Sequence, residues 1–397
     1  MIAVEEAQAR VAAAFRPTGV ETIAIGDGVG RVLAQDARAR LSQPPFPVSA
    51  MDGYAVHAGD VRDVPARLRI AGSSPAGNPY YSHLKSGEAV RIFTGGVVPD
   101  GADAIVIQEN TAIEDGFVVV REQARPGVHI RPAGLDFSAG QILAPIGKRL
   151  TARDLSLLAA GDIADIAVRR RPRIGFVATG DELSRPGEPH PPGGIVASSG
   201  YGLSAMIAQW GGEAIDLGLL PDRIEAFARL PEAARNLDLL ITLGGASVGD
   251  HDLVQSALQP HGFRLDFWKI AMRPGKPLIF GHLGETPMLG LPGNPVSTFV
   301  CAILFVRSAI AAMLGTTIEQ PLHKAKLERG LPQNDARQDY IRARTIMRDG
   351  MLCVEPFAVQ DSSMLSVFAA AGALIVRPPR AAALAAGEMA DVLLLGL

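Results

Sequence analysis

Residues 3–14 run Ala-Val-Glu-Glu-Ala-Gln-Ala-Arg-Val-Ala-Ala-Ala, a pattern that predicts a helix, and Pro44-Pro45-Phe46-Pro47 then breaks all regular structure. From there to about residue 147 the chain alternates short apolar runs with turn signals. Ala89 to Phe93, Ala104 to Gln108 and Gly116 to Arg121 read as strands, and Pro99-Asp100-Gly101 and Glu114-Asp115-Gly116 read as turns. Thr151-Ala-Arg-Asp154 has the spacing of a capping box before the helical run Leu155 to Ala160, and Arg169-Arg-Arg-Pro-Arg173 reads as a linker, so a boundary is expected near 170.

Beyond that boundary the period becomes strand, glycine-bearing turn, helix. Arg173 to Ala178, Ala214 to Leu219, Leu239 to Leu243 and Met288 to Leu291 are the apolar runs, and each ends in a polar turn. Alternating β and α with fully apolar strands predicts a parallel sheet covered on both faces. From 323 to 397 short β runs return. The expected organisation is multidomain α/β plus β: a helical and linker region at 1–44 and 141–170, a β-rich domain at 45–140, an α/β module at 171–320 and a C-terminal β domain at 321–397.

The composition fits that picture. Of 397 residues, 48% are hydrophobic and 20% charged, and the 43 Gly and 29 Pro are scattered, which excludes disorder, collagen and coiled coil. A net charge of −3 lacks the basic excess that bulk nucleic-acid binding needs. The longest apolar stretch, Phe299 to Leu314, is interrupted by Arg307 and Ser308 and reads as a buried helix, not a membrane span. Glu5 and Glu6 precede any apolar run, unlike a signal peptide, and two cysteines make neither a zinc site nor a disulfide framework. A reducing cytoplasm is the expectation.

Open α/β sheets bind ligands outside the carboxyl ends of their strands, so the polar turns are the candidate site. Gly244-Gly245-Ala246-Ser247-Val248-Gly249 runs into a helix and reads either as a phosphate cradle or as a tight turn. Asp181, Glu182, Asp250 and Asp252 end strands and suit a hard divalent cation such as Mg²⁺, or serve as helix caps. Asp222-Arg-Ile-Glu225 has capping-box spacing. Only six of 38 basic residues are Lys, yet Lys269, Arg273 and Lys276 fall within eight positions beside Trp268, which points to an anion site or a solvated basic loop. In the N-terminal half, Ser49 to Val56 and Arg91 to Gly101 are turns with Asp52 or Thr94 at the tip. Residues His129 to Gly140, with Arg131 and Asp136, are similarly open. No nucleophile–His constellation can be picked from spacing.

Taken together, six segments resemble the molybdopterin molybdenumtransferase family, which includes the C-terminal domain of gephyrin. They are Ser49-Ala-Met-Asp-Gly-Tyr-Ala-Val56, Arg91-Ile-Phe-Thr-Gly-Gly96, Thr179-Gly-Asp-Glu-Leu183, Gly244-Gly-Ala-Ser-Val-Gly-Asp250, Arg273-Pro-Gly-Lys-Pro277 and Gly290-Leu-Pro-Gly-Asn-Pro-Val-Ser297. Arg337 to Arg342 and Ser362 match more loosely. The resemblance implies a molybdopterin-binding-like α/β module with a small C-terminal β-barrel-like domain, insertion of molybdate into adenylylated molybdopterin, release of AMP, and help from Mg²⁺. It implies Asp222 and Asp252 near the metal and phosphates, Asp52 and Glu182 as catalytic carboxylates, and Thr94, Gly244, Gly245, Ser247, Asp250 and Lys269 as substrate contacts. Arg273, Lys276, Ser297 and Ser362 would line the molybdate pocket. Arg273 stands where relatives commonly have Lys. The resemblance further implies a homodimer whose site combines both subunits, with the molybdopterin adenylyltransferase and cofactor-accepting enzymes as partners, and no nucleic acid or membrane. A non-enzymatic dimeric scaffold of the same fold and a nucleotide pyrophosphatase sharing the α/β module are the alternatives.

Overall fold

The computed structural model describes residues 1–245, 253–317 and 321–396. They fall into two compact units. One comprises 22–29 and 35–167, and the other comprises 1–21, 30–34 and 168–397.

The first unit is built on a six-stranded sheet of β1 (Gly53–Val56), β2 (Ala66–Ser74), β3 (Glu88–Ile92), β4 (Ala104–Ile107), β5 (Thr111–Glu114) and β6 (Phe117–Val120), in the order β4-β1-β3-β2-β6-β5. Strand residues point alternately to opposite faces. Tyr54 and Val56 accordingly join a core with Leu68, Val118 and Val120, while Ala55 joins another with Val90, Ile92 and Ile105. Both faces are covered, which is why the runs read as continuous apolar stretches. The helix Ala152–Ala160 starts at the anticipated capping box, where the Asp154 N–H donates to the Thr151 hydroxyl and the Thr151 N–H donates to the Asp154 carboxylate.

The second unit carries β7 (Arg173–Thr179), β8 (Glu213–Leu220), β9 (Leu239–Leu243), β10 (Phe263–Trp268), β11 (Ile279–Leu283) and β12 (Thr286–Leu291), in the order β8-β7-β9-β12-β11-β10. The expected parallel sheet holds for β8, β7, β9 and β12; β11 then runs antiparallel to both β12 and β10, so the whole sheet is mixed. The reason is a two-residue turn, Gly284–Glu285, with Gly284 at φ 62°, which closes a hairpin where a helical crossover would have kept the strands parallel.

Alternation sorts this sheet's residues between two cores. Leu239, Ile241 and Leu243 face the helices Val4–Ala13, Ser199–Trp210 and Pro295–Leu314, whereas Leu240, Val177 and Met288 face Phe227, Val254 and Leu258. Pro295–Leu314 is long and apolar enough to cross a membrane, but 83% of that window is buried inside the protein, as expected of a core helix. The C-terminal strands β13 (His323–Leu327), β14 (Gln338–Arg348), β15 (Met351–Pro356), β16 (Ala373–Arg377) and β17 (Met389–Leu394) close into a five-stranded barrel in the order β14-β15-β13-β17-β16, with β16 pairing back onto β14. Met272–Arg273 pairs in parallel with Gln338 and Asp339, which ties the cationic segment to the barrel.

Candidate active site

The ends of β7, β9 and β12, the segment Met272 to Pro277 and residues 360–363 together line a cleft of about 990 Å³. It gathers eight of the expected residues: Glu182, Asp222, Gly244, Gly245, Arg273, Lys276, Ser297 and Ser362. The glycines are there for conformational reasons. Gly244 has φ 93°, and a Cβ on it would lie 2.9 Å from the Thr179 carbonyl oxygen. Gly275 has φ 105°, and a Cβ on it would meet Cys301 Sγ at 2.5 Å, so only glycine lets the turn carrying Lys276 pass the long helix.

That helix begins with Pro at its first turn after Asn294, and Ser297 is buried there. The Asn294 amide donates to the Ser362 hydroxyl at 2.8 Å, and the Val296 N–H donates to the Ser362 carbonyl at 3.1 Å. The loop that presents Ser362 is thereby fastened to the helix start. Thr179, which is 5% exposed, has a hydroxyl with no hydrogen-bond partner among the described residues; it lies 3.2 Å from where a Gly244 Cβ would be.

At the cleft's acidic side, Asp222 follows β8, Glu182 follows β7, and the Asp222 N–H donates to the Asp181 carboxylate at 3.3 Å. Desolvation, then repulsion from Glu182 and Asp181, holds the Asp222 carboxyl above its ordinary value. Among the described residues no group of three or more His, Cys, Asp or Glu is placed to hold a metal ion. Two hard carboxylates that repel each other nonetheless fit Mg²⁺, which takes one or two protein carboxylates and completes its shell with water and substrate oxygens.

Arg273 is at the cleft wall, but its guanidinium is engaged: Nε donates to Asp339 at 2.9 Å, Nη2 pairs with the same carboxylate, and Asp335 lies 3.5 Å from Nη1. Lys269 is outside the cleft lining, with its ammonium 3.6 Å from the Trp268 ring centroid. Asp52 and Thr94 belong to the other compact unit, where the Asp52 carboxylate accepts both the N–H and the hydroxyl of Thr94 at 2.8 Å. Those two bonds hold its pKa below the usual value. Ser247, Asp250 and Asp252 lie outside the described residues.

Several polar cleft residues were not singled out from the sequence. Asn294 and Thr179 lie inside matched segments, and Arg337 begins the looser C-terminal match, so their signal was present. Asp361 accepts the N–H and hydroxyl of Ser363 and carried no sequence signal.

Three family descriptions match consecutive parts of the chain: "MoeA N-terminal region (domain I and II)" over residues 2–161, "Probable molybdopterin binding domain" over 175–312 and "MoeA C-terminal region (domain IV)" over 324–395. A molybdopterin molybdenumtransferase of Haemophilus influenzae is 36% identical over 95% of this chain and 94% of its own length. That of Bacillus subtilis is 33% identical over 99% and 94%. The crystal structure of a molybdopterin biosynthesis MoeA protein from Pyrococcus horikoshii superposes with a TM-score of 0.88 at 30% identity, covering both chains completely.

Proposed function

The chain belongs to the molybdopterin molybdenumtransferase family, and from that premise we propose that it inserts molybdate into the dithiolene of adenylylated molybdopterin with release of AMP. One observation carries the reading: a single cleft collects the Glu182 and Asp222 carboxylates with the Lys276 ammonium and the Ser297 and Ser362 hydroxyls. Carboxylates beside a cation and fixed donors are what cleavage of a phosphoric anhydride beside an incoming oxyanion requires.

Lys276 binds molybdate by charge, and Ser297 and Ser362 donate hydrogen bonds that orient it. Asn294, already bonded to Ser362, holds that hydroxyl in place. Gly244 and Gly245 let the pyrophosphate approach the backbone closely. Asp222, with Glu182 beside it and Asp252 from the segment after Gly245, would hold Mg²⁺, which would supply charge neutralisation at the phosphate oxygens. Arg273 acts as a wall residue fixed by Asp339.

The proposal extends to a homodimer. Asp52 and Thr94 lie in a different compact unit from the cleft, and a site completed by the partner subunit gives that polar pair a role. We place the protein in a reducing cytoplasm, in keeping with two free, buried cysteines, between an adenylyltransferase that supplies its substrate and enzymes that accept the finished cofactor. The test is to mix purified dimer with adenylylated molybdopterin, molybdate and Mg²⁺. AMP release is expected, and its absence from folded protein would overturn the assignment.

A further inference from the structure

Behind the Arg273–Asp339 pair, on the barrel side, lies a second cavity of about 540 Å³. Four arginines line it, namely Arg273, Arg329, Arg342 and Arg377, whereas Asp339 is its single acidic lining residue among those described. Both Asp339 oxygens are already engaged by Arg273. Arg342 is 1% exposed and Arg377 is 3% exposed, and Arg342 Nε and Arg377 Nη1 are buried with no hydrogen-bond partner among the described residues. Their hydrogen bonds go to carbonyls: Arg342 Nη2 donates to that of Asp361, and Arg377 Nη2 donates to those of Pro332, Ala381 and Ala382, while Asp361 acts on Arg342 and Asp339 on Arg377 through charge alone.

A buried charged donor without a hydrogen-bond partner costs more than a neutral one, and Asp339 is already paired with Arg273, so two guanidinium groups of this kind lining one cavity favour a further counter-charge. Desolvation pushes both of their pKa values down, against the opposing pull of Asp361 on Arg342 and Asp339 on Arg377. Arginine forks match the edges of tetrahedral oxyanions bidentately. Arg329, exposed and donating to the Pro356 carbonyl, adds a cation that solvent can reach.

We propose that this barrel-side cavity is a second oxyanion site, which takes a tetrahedral anion of the phosphate or molybdate class between Arg329, Arg342 and Arg377. It is separate from the catalytic cleft but shares the wall formed by Arg273, Pro274 and Gln360. An anion there sits on the far side of the residue that borders the cleft. The inference does not rest on the transfer reaction.

Equilibrium dialysis of the full chain against inorganic phosphate tests it, with Lys276→Ala used to disable binding in the cleft. The expected result is that Lys276→Ala still binds phosphate. Adding Arg329→Gln, a change at an exposed position, should weaken that binding about tenfold, the equivalent of ~1.4 kcal/mol. In parallel, phosphate should raise the melting temperature of Lys276→Ala, as any ligand of the native state does, and Arg377→Gln should lose that rise. Displacement of the retained phosphate by molybdate would identify the site as a molybdate store, and resistance to displacement would identify it as a phosphate site. Loss of all phosphate binding in Lys276→Ala, or an unchanged affinity after Arg329→Gln, would overturn the proposal.

Discussion

Arg273 shows how one substitution redistributes roles. A lysine at this position would offer a point charge, whereas the planar fork of arginine is gripped at two points by Asp339 and approached by Asp335. The charge the sequence marks for anion binding is therefore largely spent within the protein, and Lys276 is left as the cleft cation that no carboxylate pairs with among the described residues. Asp222 is the opposite case. Its raised pKa reflects a carboxylate that would rather be neutral, so its stabilising contribution is present at low pH and is lost as pH rises through the folded value. A divalent cation should reverse that penalty. Wild-type protein is expected to melt higher with Mg²⁺ at neutral pH, and Asp222→Asn should melt higher than wild type without Mg²⁺ and gain less from it. Equal Mg²⁺ responses in calorimetry would remove Asp222 from the metal site.

At the scale of elements, local chemistry was legible and long-range pairing was not. The Thr151–Asp154 capping box, the apolar strands of the α/β module and the buried helix ending at Leu314 could be read from spacing because the forces that set them act within one turn or one strand. The β11–β12 hairpin escaped because Gly284–Glu285 is a weak turn signal and β11 is as apolar as a parallel strand. Asp339 escaped because its partner Arg273 is 66 residues away. The capping box makes its own prediction. Thr151→Ala removes the side-chain acceptor at the helix start and should cost about 1 kcal/mol in urea denaturation. Burial alone would raise the Asp154 carboxyl, but Lys148 and Thr151 outweigh it and hold it at about 2. A lowered carboxylate stabilises above its unfolded value, so that contribution should fade as pH drops from 3.8 toward about 2, and Thr151→Ala should flatten the slope.

For the whole molecule, the six segments carrying the resemblance divide between two compact units, with Asp52 and Thr94 in one and the cleft in the other. If the active site is completed across a dimer, two inactive variants can rescue each other. At molybdate well below half-saturation, Asp52→Ala and Lys276→Ala should each be nearly inactive alone. After subunit exchange in an equal mixture, half of the dimers carry one intact site out of two, which gives roughly a quarter of wild-type activity. No recovery in dimers shown to have exchanged would place both residues in one subunit's site.

The measurement closest to the central claim is the initial rate of AMP release from adenylylated molybdopterin as molybdate is raised, at fixed Mg²⁺, for wild type and Lys276→Ala. A saturable dependence on molybdate is expected for wild type. For Lys276→Ala the half-saturating concentration should be at least tenfold higher, about 1.4 kcal/mol of lost binding, in protein that melts as wild type does. AMP released at the same rate with and without molybdate would make the cleft a pyrophosphatase, and superimposable curves for the two proteins would take molybdate binding away from Lys276.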